Sequence, residues 1–147
     1  MIIVGLTGGI ASGKSLVIKY LKKKKIPTHE SDVIIKKIYS KPSAKFLAFL
    51  SNNGFETAVK RKKIVKRIIR SEIFNNLKKK ERLEKYLHQE VAKERNKFLK
   101  KNKNKKIVFL DIPLLFENSL QSICDYVCST TAPIYTRKKR ALKRPGI

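Results

Sequence analysis

Three features of this 147-residue chain predict a three-layer α/β/α fold, with helices on both sides of a parallel sheet. A short apolar run over residues 2–7 stops at two glycines, as a buried parallel strand does, and apolar positions at helical spacing follow it. A second apolar run over residues 107–111 ends in a carboxylate, and the proline at 113 blocks further pairing there. The third feature is the glycine-rich turn, residues 8–15, that joins the first strand to the first helix.

The first half of the chain is predicted to alternate strands with helices. A helix over residues 14–26 is followed by a brief strand over 28–30. Ser31 or Asp32 then caps a second helix, because short polar side chains favour that position. A third helix is predicted over residues 43–50.

A basic helical insertion is predicted between the two halves of the sheet. Residues 60–106 hold 20 Lys or Arg and 5 Asp or Glu. A longer helix is expected over residues 79–101, and the Lys- and Asn-rich residues 100–106 are expected to be an exposed linker. Before that long helix, a basic helix is expected whose apolar face consists of Ile64, Val65, Ile68 and Ile69.

The remaining elements are two strands and one helix. Residues 107–111 and 126–129 are the third and fourth predicted strands, and Pro133 opens a helix that is densely basic from 137 to 144. The 147 residues contain no pattern for a closing C-terminal strand, so the sheet is expected to expose one pairing edge. A monomer is expected, with association through this open edge as the alternative.

The composition favours a phosphate-bearing partner. Lys and Arg number 36 against 11 Asp and Glu, which gives a formal charge of +25. A solvated lysine-rich surface explains the same charge, because 28 of these residues are Lys and only 8 are Arg. No apolar run reaches membrane-spanning length and the start lacks the basic residues of a signal peptide, so the cytoplasm is the expected location.

Residues 8–15 match the phosphate-binding loop G-x-x-x-x-G-K-[ST] in full, in the strand-to-helix context that the mechanism needs. Its backbone amides and the following helix N-terminus enclose a phosphate. Lys14 reaches the β- and γ-phosphates, and the Ser15 hydroxyl binds Mg²⁺. The motif predicts a P-loop NTPase fold that binds ATP; a glycine turn that merely joins strand to helix is the alternative.

Two carboxylates follow predicted strands. Asp111 ends the third strand, where it is expected to hold Mg²⁺ directly or through water, or else to cap the next turn. Asp32 follows the second strand and is the best candidate for a general base. A plain helix N-cap is the alternative role for Asp32.

Four other polar residues are weaker candidates. Arg140 and Arg144 share a helical face, as a clamp on triphosphate oxygens requires, but a solvated basic face has the same spacing. His88 and Glu117 each lie beside apolar residues, and their surroundings do not separate a binding role from core or surface packing.

Taken together, these residues resemble the dephospho-coenzyme A kinase family, which uses ATP to phosphorylate the ribose 3′-hydroxyl of dephospho-CoA to give coenzyme A. The resemblance spans nearly the whole chain. It is carried by the loop at 3–15, Glu30-Ser31-Asp32, Ile73-Phe74, Leu83, Leu87-His88, Asp111-Ile112-Pro113-Leu114-Leu115-Phe116-Glu117 and the basic helix at 139–144.

The resemblance implies a role for each matching position. Asp32 and Lys14 are catalytic, Asp32, His88 and Glu117 bind dephospho-CoA, and Ser15 and Asp111 hold Mg²⁺. The implied ATP-binding residues are Gly8, Gly9, Ala11, Ser12, Gly13, Lys14, Ser15, Leu16, Arg140 and Arg144.

The resemblance also implies a division of one domain, residues 1–147. The core would be residues 1–40 and 105–135, the helical substrate-binding insertion 41–104, and a partial lid 136–147. Family members continue with more of the lid and a closing strand, so a C-terminally truncated chain with impaired activity is expected. Departures from the family pattern are Glu30, Leu16, Gln89 and Pro145.

Two other functions stay open at this point. A different nucleoside or nucleotide kinase would share the phosphate loop, although the residues from Pro113 to Glu117 argue against it. An inactive basic remnant that binds nucleic acid would follow from the charge, and its affinity would fall steeply with salt. The aromatic residues are scattered along helices, which indicates core packing more than base stacking, so nucleic acid is not an expected partner.

Overall fold

The structure, a computed structural model, describes residues 1–145. Strands and helices alternate at both ends of the chain, and helices dominate its middle. The strands are β1 (Ile2–Gly8), β2 (Thr28–Glu30), β3 (Val59–Lys60), β4 (Lys63–Ile64), β5 (Ile107–Asp111) and β6 (Tyr126–Thr130). The α-helices are α1 (Lys14–Lys23), α2 (Ser31–Ser40), α3 (Ala44–Asn52), α4 (Lys66–Asn75), α5 (Leu77–Lys101) and α6 (Ile134–Leu142).

Four of these strands form a parallel sheet in the order β2-β5-β1-β6. The predicted α/β fold with a parallel sheet and its four strands are therefore confirmed. In register, Leu6 lies opposite Asp111 and Gly8 lies opposite Thr130. Glu30 also lies opposite Asp111. The carboxyl ends of the four strands consequently share one edge of the sheet, where α/β proteins bind their ligands.

The chain divides into two compact units, 1–31 with 98–147 and 32–97, called here the first and second unit. The divisions fall inside α2 and α5. The predicted boundaries at 40/41 and 104/105 lie instead beyond the ends of those helices.

The first unit is built around the central strands of the sheet. Leu6, Val108 and Leu110 are fully buried, because strands covered on both faces carry continuous apolar runs. Ile112 and Leu115, just after β5, extend this core.

The second unit has its own core, which is rich in aromatic side chains. Phe46 and Leu50 of α3 are buried together with Phe55 and with Tyr86 of α5. The rings of Phe46 and Tyr86 stack with centroids 5.2 Å apart. Ser43 caps α3, since its side chain accepts a hydrogen bond from the Phe46 amide at 3.1 Å.

The predicted helical face at Ile64, Val65, Ile68 and Ile69 is wrong in its first half. Ile64 lies in β4, which pairs with β3 in an antiparallel hairpin, and α4 starts only after Val65. The turn residues Arg61 and Lys62 both have positive φ, 50° and 61°. Such turns are ordinarily marked by Asn or Gly, and a basic pair gives no such signal.

The linker expected at residues 100–106 is also shorter than predicted, because α5 continues through Lys101. Among residues 1–145, no helix has the length and apolar character needed to cross a membrane.

Candidate nucleotide and acceptor site

The phosphate loop connects β1 to α1 through two residues in the left-handed conformation. Gly13 has φ 101° and Ala11 has φ 59°. The first turn of α1 closes on the Gly13 carbonyl, which accepts from the amides of Leu16 and Val17 at 3.1 and 3.3 Å. The amides of Lys14 and Ser15 have no acceptor within the helix, so they can donate to an anion.

The loop is fastened to the neighbouring strand at Gly8. The hydroxyls of Ser12 and Thr130 lie 2.7 Å apart, and Thr130 donates to the Thr7 carbonyl at 3.4 Å. A Cβ atom at Gly8 would overlap Thr130 Oγ1 and lie 2.6 Å from Ser12 Oγ, so this close approach requires glycine. Thr130 is a residue that the sequence patterns did not single out.

Lys14 and Asp111, both predicted site residues, meet directly. Lys14 Nζ lies 2.9 Å from Asp111 Oδ1, with side chains 17% and 7% exposed. Because Asp111 ends β5 next to β1, the sheet order itself brings the carboxylate to the loop lysine. Because this ion pair is largely buried, each of the two side chains fixes the position of the other.

Two arginines of α6 contact the phosphate loop. Arg140 Nη1 donates to the Ala11 carbonyl at 3.2 Å. Arg137 Nε donates to the Ile10 carbonyl at 3.0 Å. The sequence pattern paired Arg140 with Arg144. In the structure, Arg137, one turn before Arg140, contacts the loop together with Arg140. The i,i+3 spacing of Arg137 and Arg140 was the available signal.

The other predicted site residues are exposed. Ser15 and Leu16 lie in the first turn of α1, and Leu16 is 73% exposed. Glu117 belongs to the turns after β5, and Arg144 follows the end of α6.

Asp32 and His88 belong to the second unit. Asp32 is an exposed residue in the first turn of α2, two residues after β2 ends. His88 is exposed on α5, next to the buried Leu87.

Comparison with known proteins gives a family for the chain. The family model described as Dephospho-CoA kinase matches residues 2–147. The curated dephospho-CoA kinase of Zymomonas mobilis is 32% identical over 147 residues, which are all of this chain and 74% of that protein. The curated dephospho-CoA kinase of Fusobacterium nucleatum is 34% identical, again over all of this chain and 75% of its own length.

Solved structures agree on the fold. The crystal structure of TT1252 from Thermus thermophilus has a TM-score of 0.79 and 28% identity, covering 99% of this chain and 73% of that one. Dephospho-CoA kinase from Campylobacter jejuni has a TM-score of 0.64 and 19% identity, covering 96% and 94%. The phosphate loop, the sheet and the match over residues 2–147 lead to one conclusion: the chain belongs to the dephospho-CoA kinase family.

Proposed function

We propose roles for the residues of this chain in the reaction of its family, the ATP-dependent phosphorylation of dephospho-CoA that forms coenzyme A. The 3′-hydroxyl of the ribose is the proposed acceptor. The observation that carries the proposal is the largely buried Lys14, held at the phosphate loop by Asp111.

ATP is proposed to place its β- and γ-phosphates in the loop. The amides of Lys14 and Ser15 are available to donate, and the α1 dipole favours negative charge at this end of the helix. The Lys14 ammonium offsets the charge on the phosphoryl group as it is transferred. Arg140 of α6, already bound to the loop backbone, and Arg144, just after the end of α6, supply further positive charge.

The residues proposed to hold Mg²⁺ offer the ligands that this ion takes. Ser15 provides a hydroxyl and Asp111 a carboxylate, and hard oxygen ligands suit Mg²⁺. If Ser15 and Asp111 hold Mg²⁺, the ion would supply positive charge that offsets the negative charge of the triphosphate.

Asp32 is proposed to orient the acceptor hydroxyl and to take its proton as the oxygen attacks the γ-phosphorus. The proton moves to the Asp32 carboxylate, and the bond from the γ-phosphorus to the bridging oxygen breaks to release ADP. The exposure of Asp32 leaves its carboxylate accessible to a substrate. His88 and Glu117 are proposed to contact dephospho-CoA.

The second unit and the last residues have proposed roles as well. Residues 41–104 are proposed to bind the anionic substrate, for which their basic surface provides charge, and residues 136–145 act as part of a lid. Residues 146 and 147, the last two of the predicted lid, lie outside the described residues. Cytoplasmic location and a monomeric state remain predictions.

The test is phosphate transfer by the purified chain with Mg-ATP and dephospho-CoA, followed by ADP release and by detection of coenzyme A. Asp32→Asn is expected to lower kcat by about 10²–10⁴-fold, because general-base catalysis contributes about that much. Glu81→Gln, which removes one exposed carboxylate from α5, is the matched control and is expected to change kcat less than about twofold. Equal rates for wild type and Asp32→Asn would contradict the assigned role.

A further inference from the structure

Arg137 of α6 contacts two adjacent residues of the phosphate loop, Gly9 and Ile10. Its side chain is half-buried, whereas Arg140 and Arg144 are exposed. Its Nε donates to the Ile10 carbonyl at 3.0 Å, across 127 positions of sequence.

The guanidinium of Arg137 also lies against Gly9. A Cβ atom at Gly9 would overlap Arg137 Nη2 and lie 3.0 Å from Cζ, and its three nearest heavy atoms all belong to that guanidinium. Gly9 does not have a positive φ, so the described backbone there suits any residue. The space that a side chain at Gly9 would take is occupied by the Arg137 guanidinium.

The contact with Ile10 constrains the direction of a loop amide. In a trans peptide the carbonyl oxygen and the following amide hydrogen point in opposite directions. When Arg137 holds the Ile10 carbonyl, the amide of Ala11 is turned to the opposite side of that peptide plane. Ala11 has φ 59°, a conformation that a non-glycine residue keeps only when its surroundings hold it.

We propose that Arg137 is a positioning residue of the nucleotide site, which fixes the backbone of Gly9, Ile10 and Ala11 in the conformation that receives the triphosphate of ATP. Arg137 acts through the loop backbone and thereby raises the affinity of the site for ATP. This inference rests on the proposed function, in which the loop binds ATP.

The first experiment measures Mg-ATP binding by calorimetry and the kinetic constants of wild type and Arg137→Gln. The variant is expected to raise Kd and KM for ATP about tenfold, the order expected for a lost charge-assisted hydrogen bond. We expect kcat and KM for dephospho-CoA to change less than about twofold. Lys19→Gln removes the same charge from an exposed position of α1, outside the proposed lid, and is expected to leave all constants within about twofold.

The second experiment is a double-mutant cycle with Gly9→Ala. In the wild-type background the methyl group displaces the guanidinium, so the Kd for Mg-ATP is expected to rise about tenfold. In the Arg137→Gln background the same methyl group is expected to raise the Kd by a smaller factor than in wild type, because the overlapping guanidinium atoms are gone. A purely structural role would lower thermal stability without this non-additive change in Kd.

The outcomes separate the two proposals. A wild-type chain that fails to bind Mg-ATP overturns the proposed function and this inference with it. A wild-type chain that binds Mg-ATP while Arg137→Gln binds equally well overturns only the inference. Additive effects of Gly9→Ala and Arg137→Gln on the Kd would also overturn it.

Discussion

Lys14 in the first unit and Lys79 in the second are both largely buried lysines that face a carboxylate. Lys14 is 17% exposed and lies 2.9 Å from Asp111; Lys79 is 20% exposed and lies 2.5 Å from Glu72. Lys79 also donates to the Gly54 carbonyl at 2.9 Å, and its Nζ lies 5.6 Å from the centroid of the Phe55 ring. Lys14 lies instead at the end of a loop whose amides are available to an anion.

The two lysines show the same side chain in two settings: beside the phosphate loop in the first unit, where its proposed role is to bind ATP, and inside the second unit, where its contacts stabilise the fold. Lys79 closes the turn before Phe55 and covers an aromatic ring of the core, so its charge is used within the fold. Lys14 is positioned at the edge where the four strands of the sheet end. Among 28 lysines, composition cannot separate these roles, but the motif spacing identifies Lys14.

The two units also differ in how many polar residues they bury. Within residues 1–145, every buried polar or charged residue of the core belongs to the first unit, namely Thr7, Ser12, His29, Ser31 and Asp111. The buried side chains of the second unit are apolar or aromatic. Burying polar groups costs free energy unless they are hydrogen-bonded, and three of these five residues, Thr7, Ser12 and Asp111, lie in or beside the phosphate loop.

The largest expected effect is that of Lys14→Ala. We expect kcat/KM for phosphate transfer to fall about 10²–10³-fold, because the variant lacks a positive charge positioned at the transferred group. The exposed Lys19 lies on the same helix, and Lys19→Ala is expected to keep kcat/KM within about twofold. Steady-state ADP release measures both; unchanged turnover in Lys14→Ala would remove the difference between the two lysines.

Lys79→Ala is expected to reduce stability and leave the chemistry unchanged. The variant removes the ammonium group that donates to the Gly54 carbonyl and to the Glu72 carboxylate. The free energy of unfolding should therefore fall by about 1–3 kcal/mol. Urea unfolding measures the change, and kcat at a temperature where the variant is folded should match wild type. Lys80, whose side chain is 48% exposed, provides the control. Lys80→Ala should lower the free energy of unfolding by less than about 0.5 kcal/mol. A loss of kcat in folded Lys79→Ala would contradict this assignment.

The smallest expected effect is on the pH dependence of stability. A hydrogen bond from Lys93 at 2.9 Å, aided by Lys45 at 3.2 Å, holds the pKa of Glu90 below its usual 4.5. A lowered carboxyl pKa stabilises the fold above the unfolded value, and that contribution is lost as the pH falls through the folded value.

Glu90→Gln should therefore lower Tm by about 1–2 °C above pH 5, a small shift because solvent screens the pair. The difference from wild type should shrink as the pH falls below 4.5. Differential scanning calorimetry from pH 3 to 7 measures this difference in Tm. Glu84, whose side chain is 53% exposed, provides the control variant Glu84→Gln. A constant difference across that range would assign the effect to packing instead of charge.

The amino-acid pattern predicted the strands of the sheet and the phosphate loop because each of these elements is marked by neighbours within a few positions, and several such motifs together indicated the family. Strands β1 and β5 are apolar runs with clear ends, and the loop from Gly8 to Ser15 matches a contiguous motif. The β3–β4 hairpin escaped prediction because Arg61 and Lys62 adopt positive φ without the usual turn residues.

The partners in the site depend on the tertiary structure. Asp111 reaches Lys14 because β5 lies beside β1, and Thr130 reaches Ser12 because β6 lies on the other side. Arg137 reaches Ile10 across 127 positions, a distance over which local periodicity carries no information. Local pattern fixes which chemical groups the chain carries at the ends of its strands. Strand order and register determine which of those groups meet, because hydrogen bonds and ion pairs require separations of about 3–4 Å.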